Sequence, residues 1–200
     1  MAPRTTALLL IGYQNDYFSP QGVLREAIEE PSLVSGTLRN TMELIERLGP
    51  TAVLMITTPI VFTPDYSELQ HPVGILKVIK DAGAFRAGSF GAATIPELTQ
   101  FGDRLVEVPG KRGLNAFSNT QLDEILQAHG VRDVAIGGVV ASLCIDSTGR
   151  AAYERGYGVT IIANCIAGRT RVEQEFYLSE IYPMYARVLT SHQWLADLGC

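Results

Sequence analysis

The sequence is short of the features that mark several protein classes. Its three cysteines, Cys144, Cys165 and Cys200, are odd in number and far apart. That argues against a disulfide framework and for a reducing compartment, so a cytoplasmic protein is expected. The three histidines, His71, His129 and His192, are widely separated, and no HxH, HxxxH or CxxC pair occurs. No metal site and no cofactor is therefore expected. The longest apolar runs, around Ala7 and Val53, reach about seven residues, whereas a membrane helix needs roughly 20. Residues 1–6 are too few ahead of the first apolar run for a secretory leader. The 16 Lys and Arg do not cluster and are outnumbered by 21 Asp and Glu, for a net charge of -5, which leaves no nucleic-acid footprint. No internal repeat or low-complexity linker is present.

What remains is an ordinary globular composition. Hydrophobic residues make up 46% and charged residues 18% of the 200 positions, enough apolar content to exclude disorder and to bury one core. We expect a single domain over residues 1–200. Short apolar runs alternate with amphipathic segments. Strands are expected at 6–12, 51–57, 104–108, 133–137, 158–163 and 187–190. Helices are expected at 33–48, 119–130, 143–155 and 171–184. Near-continuous apolar strands separated by helices imply an α/β fold, with a parallel sheet covered on both faces. Sites in such folds lie beyond the carboxyl ends of the strands. Residues 59–102 are poorly patterned, with some helix around 75–80. They read as a long excursion, a lid or a subunit contact.

Three features sit at strand ends. The first is Gly137-Gly-Val-Val-Ala-Ser-Leu-Cys-Ile-Asp-Ser-Thr148, which places Cys144 at the start of a helix. Free N–H groups there favour a thiolate and can hold an oxyanion. A buried structural cysteine would fit the same position. The second is Lys111, just past the third strand, either a cation beside the thiol or a solvated loop lysine. The third is Ile11-Gly-Tyr-Gln-Asn-Asp-Tyr-Phe18, where a buried strand runs into an aromatic and polar cluster. That cluster suits a small-molecule pocket or a simple turn. Phe90, in Arg86-Ala-Gly-Ser-Phe-Gly91, could form a substrate-side loop. Arg86 and His71 are weaker candidates for anion binding. Cys165 reads as buried structure and Cys200 as a terminal thiol.

Together these features resemble the isochorismatase-like cysteine hydrolases, a family that includes nicotinamidases and N-carbamoylsarcosine amidases. Its first motif is an aspartate, one residue, then Gln-Asn-Asp-Phe, and residues 13–18 match it. Its second is a lysine followed by Ala-Phe, Thr and Leu, met by Lys111, Ala116, Phe117, Thr120 and Leu122. The third is met by Gly138, Val139, Cys144, Asp146, Ser147, Thr148, Arg150, Ala151, Ala152, Gly156 and Tyr157. The resemblance spans about residues 6–195. It implies a six-stranded, mostly parallel, Rossmann-like three-layer sheet and a small-molecule substrate. It also implies a homodimer or homotetramer that engages no nucleic acid or membrane.

The resemblance further implies an Asp, Lys and Cys triad, in which the cysteine attacks a carbonyl and an acyl-enzyme forms. Cys144 is then the nucleophile and Lys111 its cationic partner. A cis peptide between Val140 and Ala141 would aim the Ala141 N–H beside that of Cys144 as an oxyanion hole. Tyr17, Phe18, Phe117, Val140, Leu143 and Phe90 would line the substrate. The chain departs from the pattern at Gly12, which stands where the triad has its aspartate. An Asp at position 12 is expected to face Lys111 and Cys144, so Gly12→Asp should supply the missing base. Asn164 also replaces a common aspartate, and residues 57–65 lack the Asp-x-His of zinc nicotinamidases. Three readings stay open: an amide hydrolase whose base is Lys111, Asp16, a substrate group or water; a member repurposed for a different electrophile; or an inactive ligand-binding or substrate-trapping form.

Overall fold

A computed structural model describes residues 1–200. Six strands form one sheet: β1 (Thr6–Ile11), β2 (Leu54–Thr58), β3 (Leu105–Glu107), β4 (Asp133–Val139), β5 (Gly158–Ala167) and β6 (Arg187–Leu189). Their spatial order is β3-β2-β1-β4-β5-β6, and every neighbouring pair is parallel. All six residues of β1 are buried, which requires cover on both faces of the sheet and explains the unbroken apolar run of this central strand. The order of strands reverses between β1 and β4, and the crevice at such a reversal is where α/β sheets hold ligands.

Eight α-helices follow or separate the strands: α1 (Asn15–Phe18), α2 (Pro31–Leu48), α3 (Gly74–Ala82), α4 (Pro96–Thr99), α5 (Leu122–Ala128), α6 (Asp146–Glu154), α7 (Arg171–Phe176) and α8 (Ser191–Leu198). Helix α2 begins on Pro31, whose fixed φ suits a first helical turn. Its buried residues Val34, Thr37, Thr41, Leu44, Ile45 and Leu48 follow helical spacing and pack on β5. Two elements differ from the sequence expectation. The helix expected over 171–184 is α only to Phe176, then a π-turn (Tyr177–Ile181) and a 3-10 turn that carries Pro183, because a proline ring cannot continue an α-helix. Helix α8 was not expected. It starts with a capping box in which Thr190 and Gln193 satisfy each other's backbone N–H groups.

The excursion over 59–102 is stitched to the end of β1 by three consecutive side chains. Gln14 donates from Nε2 to the carbonyls of Ile60 (2.8 Å) and Ala92 (2.7 Å), and its Oε1 accepts from Ile60 N (2.8 Å). Asn15 donates to the Phe90 carbonyl. Asp16 Oδ2 accepts from Phe85 N at 2.7 Å. The polar triplet after the buried strand is therefore a clasp, which neither the turn nor the pocket reading anticipated.

Candidate active site

The carboxyl ends of β1 and β4 meet the loop after β3 at one point. Lys111 has no solvent exposure and Cys144 is 4% exposed. Lys111 Nζ lies 3.6 Å from Cys144 Sγ and donates to the Gly113 carbonyl at 2.6 Å. The backbone of Lys111 is fixed by a short parallel bridge to Ile60, completed by Val61 N donating to the Lys111 carbonyl. Burial lowers the amine below the ordinary lysine range, and the neighbouring Cys144 pulls it part of the way back. An amine so placed can exchange a proton with the thiol.

Cys144 stands in a π-turn, Ala141–Ile145, that runs directly into α6. The helical segment thus opens two residues before the expected start. Leu143 N and Ile145 N both donate to the Val140 carbonyl. Tyr182, fully buried, donates its hydroxyl to the Ala141 carbonyl at 2.8 Å, which also accepts from Asp146 N. Tyr182 lies 41 residues from this partner and carried no sequence signal. The cis peptide falls between Val139 and Val140, one residue before the bond expected from the resemblance.

Gly12 follows β1 in the left-handed region, with φ +76°. A Cβ built there would lie 2.7 Å from the Val139 carbonyl oxygen and 2.9 Å from Val139 Cγ2. This corrects the expectation that an aspartate would simply face Lys111 and Cys144: on this backbone its first carbon collides with β4. Asp16 is also committed elsewhere. Its carboxylate accepts from Phe85 N and Val23 N, and Gly91 packs so closely on it that no Cβ would fit. That excludes the free carboxylate a general base needs.

Of the expected lining residues, Val140 and Leu143 share the turn of Cys144, and Tyr17 is buried against Phe85. Val140 caps the π-turn that carries Leu143 and Cys144. Tyr17 is 2% exposed, and its ring packs on Phe85 with centroids 5.4 Å apart. Burial raises its phenol well above the ordinary tyrosine range, and the nearby Cys144 and Asp16 push it further. Phe85 itself holds a left-handed φ of 53°, fixed by the bond to Asp16. Sequence inspection missed Phe85.

The other three expected lining residues make different contacts. Phe18 stacks on Tyr13 at 4.9 Å. Phe117 lies beneath Arg155 and beside Tyr157, past the far end of α6. Phe90 is 56% exposed and lines a surface groove with Phe18, Pro20 and Ile95. Arg86 and His71 are exposed. A pocket of about 440 Å³ adjoins the π-turn, between Ser142 and Leu143 on one side and Gly74, Ile75 and Val78 of α3 on the other, with Arg169 at its rim. The helical character of α3 was expected, but not its place beside the nucleophile's turn.

Comparison with known proteins agrees with this architecture. The isochorismatase domain model matches residues 6–193. An uncharacterized isochorismatase family protein, YddQ of Bacillus subtilis, is 25% identical over 201 residues, covering 96% of this chain and 99% of the relative. The ureidoacrylate amidohydrolase RutB of Agrobacterium fabrum is 26% identical over 170 residues, covering 78% and 73% of the two chains. The crystal structure of a cysteine hydrolase from Pseudomonas syringae pv. phaseolicola superposes with a TM-score of 0.83 at 19% identity, covering 100% of this chain and 94% of the other. With the sheet order, the strand-end site and the domain match in agreement, the chain belongs to the isochorismatase family and is a hydrolase.

Proposed function

We propose that the protein hydrolyses an amide-type C–N bond of a small molecule through an acyl-enzyme on Cys144. One observation carries the reading: a lysine with no solvent exposure lies 3.6 Å from the sulfur of a cysteine in the opening turn of a helical segment. Burying a lysine beside a thiol is costly unless the two share a proton. The amine draws the proton from Sγ, and the resulting ion pair holds a thiolate ready to attack. In this reading the N–H groups of Ala141 and Cys144 receive the carbonyl oxygen as it becomes an oxyanion. Expulsion of the amine leaves a thioester, which water cleaves. The amidohydrolase name of one relative adds support for the class of bond.

Gly12 bears on the alternatives of a repurposed or inactive member. Its left-handed φ and the contact a Cβ would make favour a backbone built around glycine over a site from which an aspartate was removed. The test is turnover of a panel of small primary amides and ureido compounds, with Cys144→Ala as control. We expect release of ammonia or amine from at least one, reduced roughly 10³-fold or more in the variant, the scale of a lost nucleophile. Equal turnover by both proteins, or an acyl adduct on another residue by mass spectrometry, would overturn the proposal.

A further inference from the structure

Cys144 does not sit in an ordinary helical turn. Ile145 N donates to the Val140 carbonyl and Asp146 N to the Ala141 carbonyl, so two successive bonds span five residues where an α-helix spans four. The π form is rare, so the chain has to hold it against the α alternative. Closing on the α pattern would drop one residue from the turn. Cys144 would then swing by on the order of 100° about the axis, since 3.6 residues complete a turn. Its sulfur would leave Lys111 Nζ, which lies at 3.6 Å.

Both ends of this turn are held from outside by one short stretch of chain. At its opening, Tyr182 donates its hydroxyl to the Ala141 carbonyl at 2.8 Å. At its close, Tyr185 donates its hydroxyl to Asp146 Oδ1 at 3.1 Å. The two rings leave a single locked turn, in which Tyr185 N and Ala186 N both donate to the Tyr182 carbonyl, and they meet edge-on at 88°. The other carboxylate oxygen of Asp146 accepts from Arg150 Nε at 2.9 Å, and the Arg150 guanidinium lies over the Tyr185 ring. Gly149 leaves room for that ring, because a Cβ there would lie 2.8 Å from the Tyr185 hydroxyl and 2.9 Å from a ring carbon.

Resting on the acyl-enzyme reading, we propose that Tyr182 and Tyr185 are positioning residues, a clamp that keeps the π-turn at full width and Cys144 facing Lys111. The Ala141 carbonyl has two lone pairs, and Asp146 N and the Tyr182 hydroxyl occupy both. In the α pattern Ile145 N would take that carbonyl, and Asp146 would move away from Tyr185 and Arg150. Neither hydroxyl has to meet the substrate, since each acts through the direction of the sulfur. Tyr182 has the larger share, because its bond is buried and that of Tyr185 only partly so.

The experiment follows iodoacetamide alkylation of Cys144 against pH in a Cys200→Ser protein, read by peptide mapping. Tyr182→Phe keeps the ring and leaves the Ala141 carbonyl its bond from Asp146 N. We expect it to move the profile to higher pH by about one unit and to slow labelling at pH 7 by about tenfold, as for a thiolate turned away from its cation. In a Lys111→Met background the same substitution should change the rate by less than about twofold, because no cation is left to face. Equal slowing in both backgrounds, or an unmoved profile, would overturn the clamp. Tyr185→Phe should move the profile the same way by a smaller amount. It decides the matter should Tyr182→Phe lose its thermal transition, and an unmoved profile there would then overturn the clamp. The reading beneath is tested separately with p-nitrophenyl acetate, which should leave an acetyl group on Cys144 of the unmodified protein by intact mass. A moved alkylation profile with no such adduct would overturn the acyl-enzyme reading, and with it the catalytic purpose of the clamp.

Discussion

Cys144 and Cys165 lie at the carboxyl ends of neighbouring strands, both buried, at 4% and 1% exposure, yet the sheet treats them differently. Cys144 follows β4 on a π-turn and has Lys111 at 3.6 Å. Cys165 lies within β5, against α2, where Tyr13 donates to its carbonyl and bonds Thr41. No cation stands beside it. Burial pushes the Cys165 thiol up to about 12, with a smaller opposing pull from Thr41. Depth alone makes a thiol inert. What distinguishes the other is a buried amine delivered from the far side of the sheet by the loop after β3.

The contrast breaks most sharply under alkylation. In a Cys200→Ser background, iodoacetamide at pH 7 should label Cys144 and leave Cys165 untouched, because a thiol with a pKa of about 12 is ionised in only about one molecule in 10⁵ at that pH. Cys165 should begin to react only as the pH climbs toward its own pKa. Peptide mapping that finds Cys165 modified first at neutral pH would erase the distinction. A smaller effect is expected from Lys111→Met. Labelling of Cys144 should slow by about tenfold or more, since the thiolate loses its nearest cation, while the Cys165 rate is unchanged. An unaltered Cys144 rate would assign the activation to the helical turn alone.

The smallest effect concerns the strand end beside the pair. Gly12→Asp should lower stability by about 1–3 kcal/mol, the range for a strained left-handed residue, and give no gain in hydrolysis. Gly36→Ala, where a Cβ meets nothing within 4 Å, is the control that should cost nothing. Denaturant melts of both variants would check this. A stable Gly12→Asp protein with faster amide turnover would restore the simpler picture of a site lacking one carboxylate.

How much of this was legible in the sequence differs between the sheet and the site. Strand β1 announced itself because a strand covered on both faces must be apolar at every position. Strand β5 was read only to residue 163. It continues to Ala167, where Ile166 and Ala167 pair with Gly138 and Val139 after a register shift, and Asn164 satisfies its side chain on Ser191, a contact that sequence order hides. The start of α8 was written in Thr190 and Gln193 but was overlooked. Lys111 and Cys144 could be paired from motif order, since the topology brings both strand ends to one crevice. Phe117 carried the same kind of motif signal, yet its ring lies under Arg155. Motif position fixes the backbone and leaves the side chain free to turn elsewhere. The orientation of Gly12 depends on a φ angle, which residue identity permits but does not announce.

The clasp formed by Gln14, Asn15 and Asp16 has a consequence for redesign. Because three adjacent side chains fasten the 59–102 segment at Ile60, Phe85, Phe90 and Ala92, that segment works as a removable panel with fixed mounting points. All five bonds run to main-chain carbonyls or amides, so a panel of different sequence can occupy the same fittings. Exchanging it for the corresponding stretch of a relative should retune which molecules enter while the thiol and amine keep their spacing, provided the backbone of Ile60, which braces Lys111, is retained.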